Sequence, residues 1–227
     1  MRDDVARLPR GAGCRLVITP RQLYNVLYAH YGDLRWWPAD DPYEMMVGAV
    51  LTQNTAWRNV EKAIANFGGR LSPDYIASLP IDKLTEIIKP AGFFNQKAQY
   101  LKALTAWFAA YDYDHENAAL SQVDDLRRQL LAVKGVGQET ADSILLYALG
   151  LPAFVVDAYT MRLLKRLGVD VPMTYRGVQA WFTSQLPQDI ALYNNYHACV
   201  VNICKDFCRA VPRCGGCPLA SYCKSLC

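Results

Sequence analysis

Seven of the chain's eight cysteines, Cys199, Cys204, Cys208, Cys214, Cys217, Cys223 and Cys227, crowd its final stretch, and only Cys14 stands apart. Cysteines used as small core residues would be scattered, so this clustering points to a metal site. The tail carries Cys208-x5-Cys214-x2-Cys217-x5-Cys223. Four thiolates held close on short loops suit the iron corners of a 4Fe–4S cluster. A four-thiolate structural zinc is the alternative, but zinc ribbons pair two Cys-x2-Cys knuckles and only one is present. Lys205, Arg209 and Arg213 place positive charge around the same loop.

A second constellation lies upstream, in LLAVKGVGQETADSILLYALG, residues 130–150. One helical pattern ends at Val133, Gly135-Val136-Gly137 can reverse the chain tightly, and another pattern follows. Amides at the start of that second helix, together with its dipole, favour a phosphate. Such a hairpin grips a nucleic-acid backbone without reading bases, although an ordinary helix-turn-helix packing unit would read similarly. Asp157 follows an apolar Phe154-Val155-Val156 run and opens a further helix. A carboxylate there is commonly a simple cap.

Taken together, LxxVKGVGxETADxILLYAL and VVDAYTxRLxxRLG, running from Leu130 to Gly168, resemble the endonuclease III-like, helix-hairpin-helix family of DNA glycosylases. The resemblance implies that Gly135, Val136 and Gly137, with Lys134 beside them, clamp the DNA backbone, and that Asp157 is the catalytic carboxylate. That role is chemically sound. Breaking an N-glycosidic bond builds positive charge on the sugar, which a carboxylate in a water-poor site stabilises. The same group can help orient the attacking water. Family members that also cut the strand carry a nucleophilic lysine two residues after the second hairpin glycine. Here Gln138 and Glu139 follow Gly137, so the lysine's place holds Glu139 and a monofunctional, water-using enzyme is expected. The family's cluster motif reads Cys-x6-Cys-x2-Cys-x5-Cys. The first gap is one residue shorter here, which leaves Cys204 as an alternative to Cys208 for the first ligand, with Cys214, Cys217 and Cys223 as the others. The cluster implied is structural.

The segments RWWPADDPYEMMVGAVLTQNTAWRNVEKA and PAGFFNQKAQYL resemble the 3-methyladenine glycosylase branch of that family. Trp36, Trp37, Pro38 and Tyr43 are then candidate walls of a base pocket. An alkylated purine is cationic, and stacked rings recognise a flipped cation by π and cation–π contact. Adjacent Trp36 and Trp37 cannot both face one way, so one of them is expected to be structural. In LTQNTAW the resemblance implies that Gln53 or Asn54 fills the space left by the extruded base. The expected partner is double-stranded DNA containing a damaged base.

The elements needed to position these groups are helices. Apolar residues recur at three- and four-residue spacing, with Pro and Gly punctuating short runs. The pattern predicts helices over 20–31, 43–67 with an interruption at LTQNTAW, 72–76, 80–88, 95–111, 122–133, 140–149, after Asp157, 175–185 and 190–205. The fold class is all-α and two-lobed. A six-helix lobe over residues 41–150 should end in the hairpin, and 1–40 with 151–227 should form a second lobe bearing the cysteine tail. Asp157 should lie in the cleft between them. Arg162, Lys165 and Arg166 are candidate phosphate contacts, with salt bridges as the commoner fate of Arg162 and Arg166.

At 52% hydrophobic and 20% charged residues, the composition excludes a disordered chain. With net charge only +3, any DNA-binding face must be a local concentration of Lys and Arg. No apolar run approaches the ~20 residues needed to span a bilayer, and no secretory pattern opens the chain. A cytoplasmic monomer is expected. Two rival readings share most of these features: a glycosylase for oxidised pyrimidines or mismatched bases, and a non-catalytic DNA-binding iron–sulfur protein. A protein-interaction module would explain neither the thiols nor the hairpin.

Overall fold

A computed structural model describes residues 17–34 and 41–225, and those residues contain helices and loops but no strand. Helix α1 spans Pro20–Tyr31 and opens on a capping box, in which Thr19 accepts from the Gln22 amide while the Gln22 side chain returns to Thr19. Asp41 caps α2 (Pro42–Leu51) through the Glu44 amide, and α3 is Trp57–Ala65. Two short helices follow, α4 (Pro73–Ser78) capped by Ser72, and α5 (Ile81–Ile87). A single 3₁₀ turn, Lys89–Ala91, leads into the long α6 (Phe94–Ala109). Then come α7 (His115–Ala119), α8 (Val123–Ala132) and α9 (Gln138–Ser143), with a π-helical turn Ile144–Ala148 continuing α9. The remaining helices are α10 (Ala158–Leu167), α11 (Tyr175–Thr183) and α12 (Ile190–Asp206).

Two apolar cores organise these helices. The first is built from Tyr43, Met45, Met46, Val50, Leu84, Leu101, Leu130, Ile144 and their neighbours, with contributions from every helix from α2 to α9. The second joins Leu23 and Leu27 of α1 to Phe154–Val156, α10, α11, α12 and Leu219 of the tail. Leu146, on the π turn, packs into the second core, so that turn is where the two meet. The first core thus draws on eight helices, α2 to α9. The short α7 has too few residues to display a period, and the sequence pattern gives no sign of the π turn. None of the described helices is long and apolar enough to cross a membrane.

Candidate active site

Asp157 sits at the junction of the two cores, as the N-cap of α10. The Thr160 amide donates to its Oδ1 at 2.7 Å and the Thr160 hydroxyl at 2.8 Å. The residue is only 9% exposed. Its other oxygen, Oδ2, lies 3.5 Å from Nε2 of His197, which comes from the middle of α12. Burial pushes the Asp157 carboxyl up, but His197 and the two Thr160 donors outweigh it and hold it below its ordinary value of 3.8. The cap is therefore real, and it also leaves an ionised carboxylate oxygen available beyond the capping role.

Glu139 stands in the first turn of α9, within electrostatic reach of both Asp157 and His197. Its side chain keeps contact with solvent. The surrounding protein, with the Asp157 charge added, raises its pKa to about 7. Next to it, Gln138 has its Oε1 buried without a hydrogen-bond partner among the described residues.

The hairpin between α8 and α9 is fixed from two sides. Gly135 adopts φ +85°, and a Cβ there would fall inside the Tyr100 ring, so the ring itself demands glycine. Gln53 reaches across from the turn after α2, and its Nε2 donates to the Gly135 carbonyl and to Thr140 Oγ1, both at 3.0 Å. Gly137 caps α9 with no side-chain acceptor, so the first-turn amides of that helix have no partner from the cap. Val136 is buried, and exposed Lys134 donates to Gln99 at 2.7 Å. Of the two residues expected to fill a gap in DNA, Gln53 is thus half-buried and committed to bracing the hairpin. Asn54 is exposed and carries a positive φ of 51°.

Beneath the hairpin, the Asp142 carboxylate of α9 is fully buried. Arg127 of α8 grips it with two parallel bonds, at 2.6 and 3.0 Å. From α11, the Tyr175 hydroxyl and Gln179 Nε2 donate to Asp142 Oδ2 at 2.7 and 2.8 Å. Gln179 also donates to the Phe154 carbonyl at 2.7 Å, and the Val156 amide donates to Tyr175 Oη at 3.3 Å. The strand-like approach to Asp157 is therefore held by a carboxylate fifteen residues upstream of it, Asp142.

Of the expected base-pocket residues, Tyr43 is among the described residues. It is buried in the first core, its ring stacked on Phe108 at 6.0 Å and its hydroxyl bonded to Thr105 at 2.6 Å, because its position in the first turn of α2 faces α6. Trp36, Trp37 and Pro38 lie outside the described residues.

Comparison with known proteins settles the family. A model of the HhH-GPD superfamily of base excision DNA repair proteins matches residues 47–188. This chain belongs to that superfamily. A Methanocaldococcus jannaschii protein with a provisional description as a DNA repair glycosylase is 46% identical over 209 residues, covering 90% of this chain and 95% of its own. The structure of Helicobacter pylori 3-methyladenine DNA glycosylase bound to 1,N6-ethenoadenine superposes with TM-score 0.74 at 30% identity, over 83% of this chain and 98% of that one. An endonuclease III–DNA covalent intermediate shares the fold, with TM-score 0.76 at 23% identity over 92% and 97% of the two chains.

In this HhH-GPD glycosylase the cysteine tail folds against α10. Cys208, Cys214, Cys217 and Cys223 line one small pocket together with Leu163, Arg166 and Phe207. Cys204 is buried beside Cys208, with its Sγ 3.5 Å from the Tyr159 carbonyl, and does not reach that wall. Cys208 and Cys217 are free thiols, whereas Cys214 is disulfide-bonded. Among the described residues no three His, Cys, Asp or Glu side chains converge on one point as ligands of a single ion.

The arginines of α10 serve this tail. Arg162 donates to the Cys208 carbonyl at 2.8 Å, and Arg166 donates to the carbonyls of Arg209 and Ala210 and to Cys208 Sγ at 3.3 Å. Neither makes, among the described residues, the salt bridge that is the usual fate of a helical arginine. Lys165 stays exposed.

Sequence reading missed His197, Tyr147 and Phe93. His197 lies far along the chain from Asp157 on an otherwise apolar face of α12, so no local spacing links the two. Phe93 did carry a signal, since a large ring beside a glycine in GFFNQKA marks a loop. It is 63% exposed at φ +46°, and the same loop is tied to the LTQNT turn by the bond from Thr55 Oγ1 to the Ala91 carbonyl.

Proposed function

We propose that this glycosylase is monofunctional: it hydrolyses the N-glycosidic bond of an alkylated purine such as 3-methyladenine and leaves an abasic site. The observation that carries the reading is the pairing of an ionised, buried Asp157 with Glu139 at the position where a strand-cutting relative needs an amine. In that arrangement Asp157 stabilises the cationic sugar electrostatically. Glu139, poised at about 7, is matched to accept a proton from the attacking water near neutral pH. The amine of the hairpin, Lys134, is engaged with Gln99.

The hairpin residues Lys134, Gly135, Val136 and Gly137 hold the phosphate backbone through the uncapped amides of α9. With Gln53 committed to the hairpin, Asn54 and the strained, exposed Phe93 are the pair that enters the duplex beside the flipped nucleotide, an apolar wedge with a polar neighbour. Strained backbone at exposed non-glycine residues is typical of such working loops. The alkylpurine assignment draws on the Trp36-Trp37-Pro38 run and on the likeness to the H. pylori enzyme.

The tail fits a 4Fe–4S cluster held by Cys208, Cys214, Cys217 and Cys223, provided Cys214 is a reduced thiol. Four sulfurs spread along one cavity wall suit the separate iron corners of a cluster better than a zinc ion, which needs all four at about 2.3 Å. When bound, the cluster would cross-link the tail to itself and take no part in hydrolysis.

The deciding assay uses duplexes containing 3-methyladenine, thymine glycol or mismatched thymine, with and without alkali. Release of 3-methyladenine, with strand breaks only after alkali, is the expected result. Nicking of thymine glycol duplex without alkali would overturn both the substrate class and the water mechanism.

A further inference from the structure

His197 is 7% exposed, and its two ring nitrogens face different partners. Nδ1 is hydrogen-bonded to the Tyr147 hydroxyl, and Nε2 lies 3.5 Å from Asp157 Oδ2 with no other hydrogen-bond partner among the described residues. Tyr147 sits on the π turn where the two cores meet, and burial together with the nearby Asp157 charge keeps its hydroxyl protonated. A protonated phenol can donate. If it donates to Nδ1, the ring's own proton must reside on Nε2, pointing at the carboxylate.

We propose that His197 is a positioning residue for Asp157: a neutral imidazole, its tautomer fixed by Tyr147, that presents Nε2–H to Oδ2 and holds the carboxylate ionised and in place. The proposal rests on Asp157 being the catalytic carboxylate. Thr160 anchors only Oδ1, so without His197 nothing among the described contacts fixes the oxygen that faces the site. Neutrality matters as much as the hydrogen bond. A charged imidazolium at this distance would cancel the field that Asp157 offers to a cationic sugar, and would repel a cationic purine. The ionisable groups around the imidazole are Asp157 at the start of α10, Glu139 in the first turn of α9, Tyr147 on the π turn, and Cys204 about two turns further along α12. The π turn supplies the register: a π insertion shifts the side chains that follow it around the helix, and such insertions recur at functional sites.

Two measurements on the full-length protein test this. The chain has three histidines, so ¹⁵N-histidine labelling gives a spectrum in which His197→Gln identifies the resonance. The expected ring at neutral pH is neutral and protonated on Nε2, and it shifts in Tyr147→Phe. A proton on Nδ1, or a cationic ring, overturns the proposal whatever the enzyme's activity. Single-turnover excision between pH 5 and 9 then compares wild type with His197→Gln and His197→Ala. The alanine variant should lose at least tenfold at pH 7.5, with its acidic limb moved to higher pH as Asp157 loses its donor. The glutamine variant, which keeps a donor and cannot titrate, should recover part of the rate and hold it further into acid. A loss equal at every pH, accompanied by a lower melting temperature, would mean a purely structural histidine and would overturn the proposal. Absence of excision by the wild type on every duplex would instead reject the glycosylase reading and leave the tautomer result standing.

Discussion

Gln53 and Gly135 are joined by a 3.0 Å hydrogen bond between a side-chain amide and a hairpin carbonyl, and the same amide also reaches Thr140. The turn after α2 and the hairpin before α9, far apart in the chain, are thereby one rigid unit. In the proposed complex they meet DNA together, one beside the vacated base position and the other on the backbone. Gln53 supports both without having to touch DNA.

Gln53→Ala should therefore behave differently from Asn54→Ala. The first strands two half-buried acceptors, and an unmade bond of that kind costs about 1–3 kcal/mol. The second removes an exposed side chain, and stability should stay within about 0.5 kcal/mol of wild type. Denaturant unfolding distinguishes them. Amide exchange should also quicken across 134–140 in the Gln53 variant alone. Equal stability for both would mean that the bridge to the hairpin contributes nothing.

The Asp142 network makes a larger demand. Asp142 is 0% exposed and Arg127 17%, so Asp142→Asn leaves a mostly buried guanidinium without its counter-charge. Breaking such a pair from one side costs about 3–5 kcal/mol. A cycle with Arg127→Met should show coupling above about 1 kcal/mol, since the two groups share a bidentate contact. The gentler Gln179→Ala releases the Phe154 carbonyl and loosens the approach to Asp157. It should lower kcat by about tenfold with little change in KM, because small displacements of a reacting group are expensive in rate. A fall confined to KM would place Gln179 in binding instead.

How much of this was legible beforehand follows from distance along the chain. The hairpin, the N-cap role of Asp157 and the cysteine spacing are local, and the residues around them state their own geometry. The helix boundaries were also readable where Pro and Gly punctuate the pattern, as at Pro20 and Pro73. What sequence could not supply is the meeting of remote elements. His197 on Asp157 and Gln53 on Gly135 are set by how α12 and the turn after α2 pack. The contact of Tyr43 with Thr105 of α6 is of the same kind, since nothing in the Trp-Trp-Pro neighbourhood states which helix will pack on it.

In the proposed mechanism Glu139 occupies the position where an amine would convert hydrolysis into strand cutting. Glu139→Lys places one there, in the same first turn of α9 and close to Asp157. Borohydride should then trap a covalent protein–DNA adduct on damaged duplex, and nicking should appear without alkali. The wild type should give neither. Trapping by wild-type protein would show that another amine reaches the sugar and would remove the argument for a monofunctional enzyme.

The same residue should set a pH dependence of stability. Its folded pKa is raised to about 7 from the ordinary 4.5, chiefly because the surrounding protein displaces part of its hydration and then by the Asp157 charge. Below about pH 4.5 Glu139 is protonated in both folded and unfolded chains, so it contributes no difference. Between 4.5 and 7 the unfolded chain ionises while the folded one stays protonated, and its contribution to stability falls as pH rises. Above 7 both forms are ionised and the penalty is constant. Glu139→Gln cannot ionise and escapes it. The variant should match wild type near pH 4.5 and exceed it in denaturant midpoint at pH 8, by an amount reduced because the side chain still meets solvent. Excision should move in the opposite direction, falling most at the pH where wild-type Glu139 is ionised and able to take a proton from water. A variant that gains stability at pH 8 and keeps full excision would show that Glu139 bears a folding cost with no catalytic return.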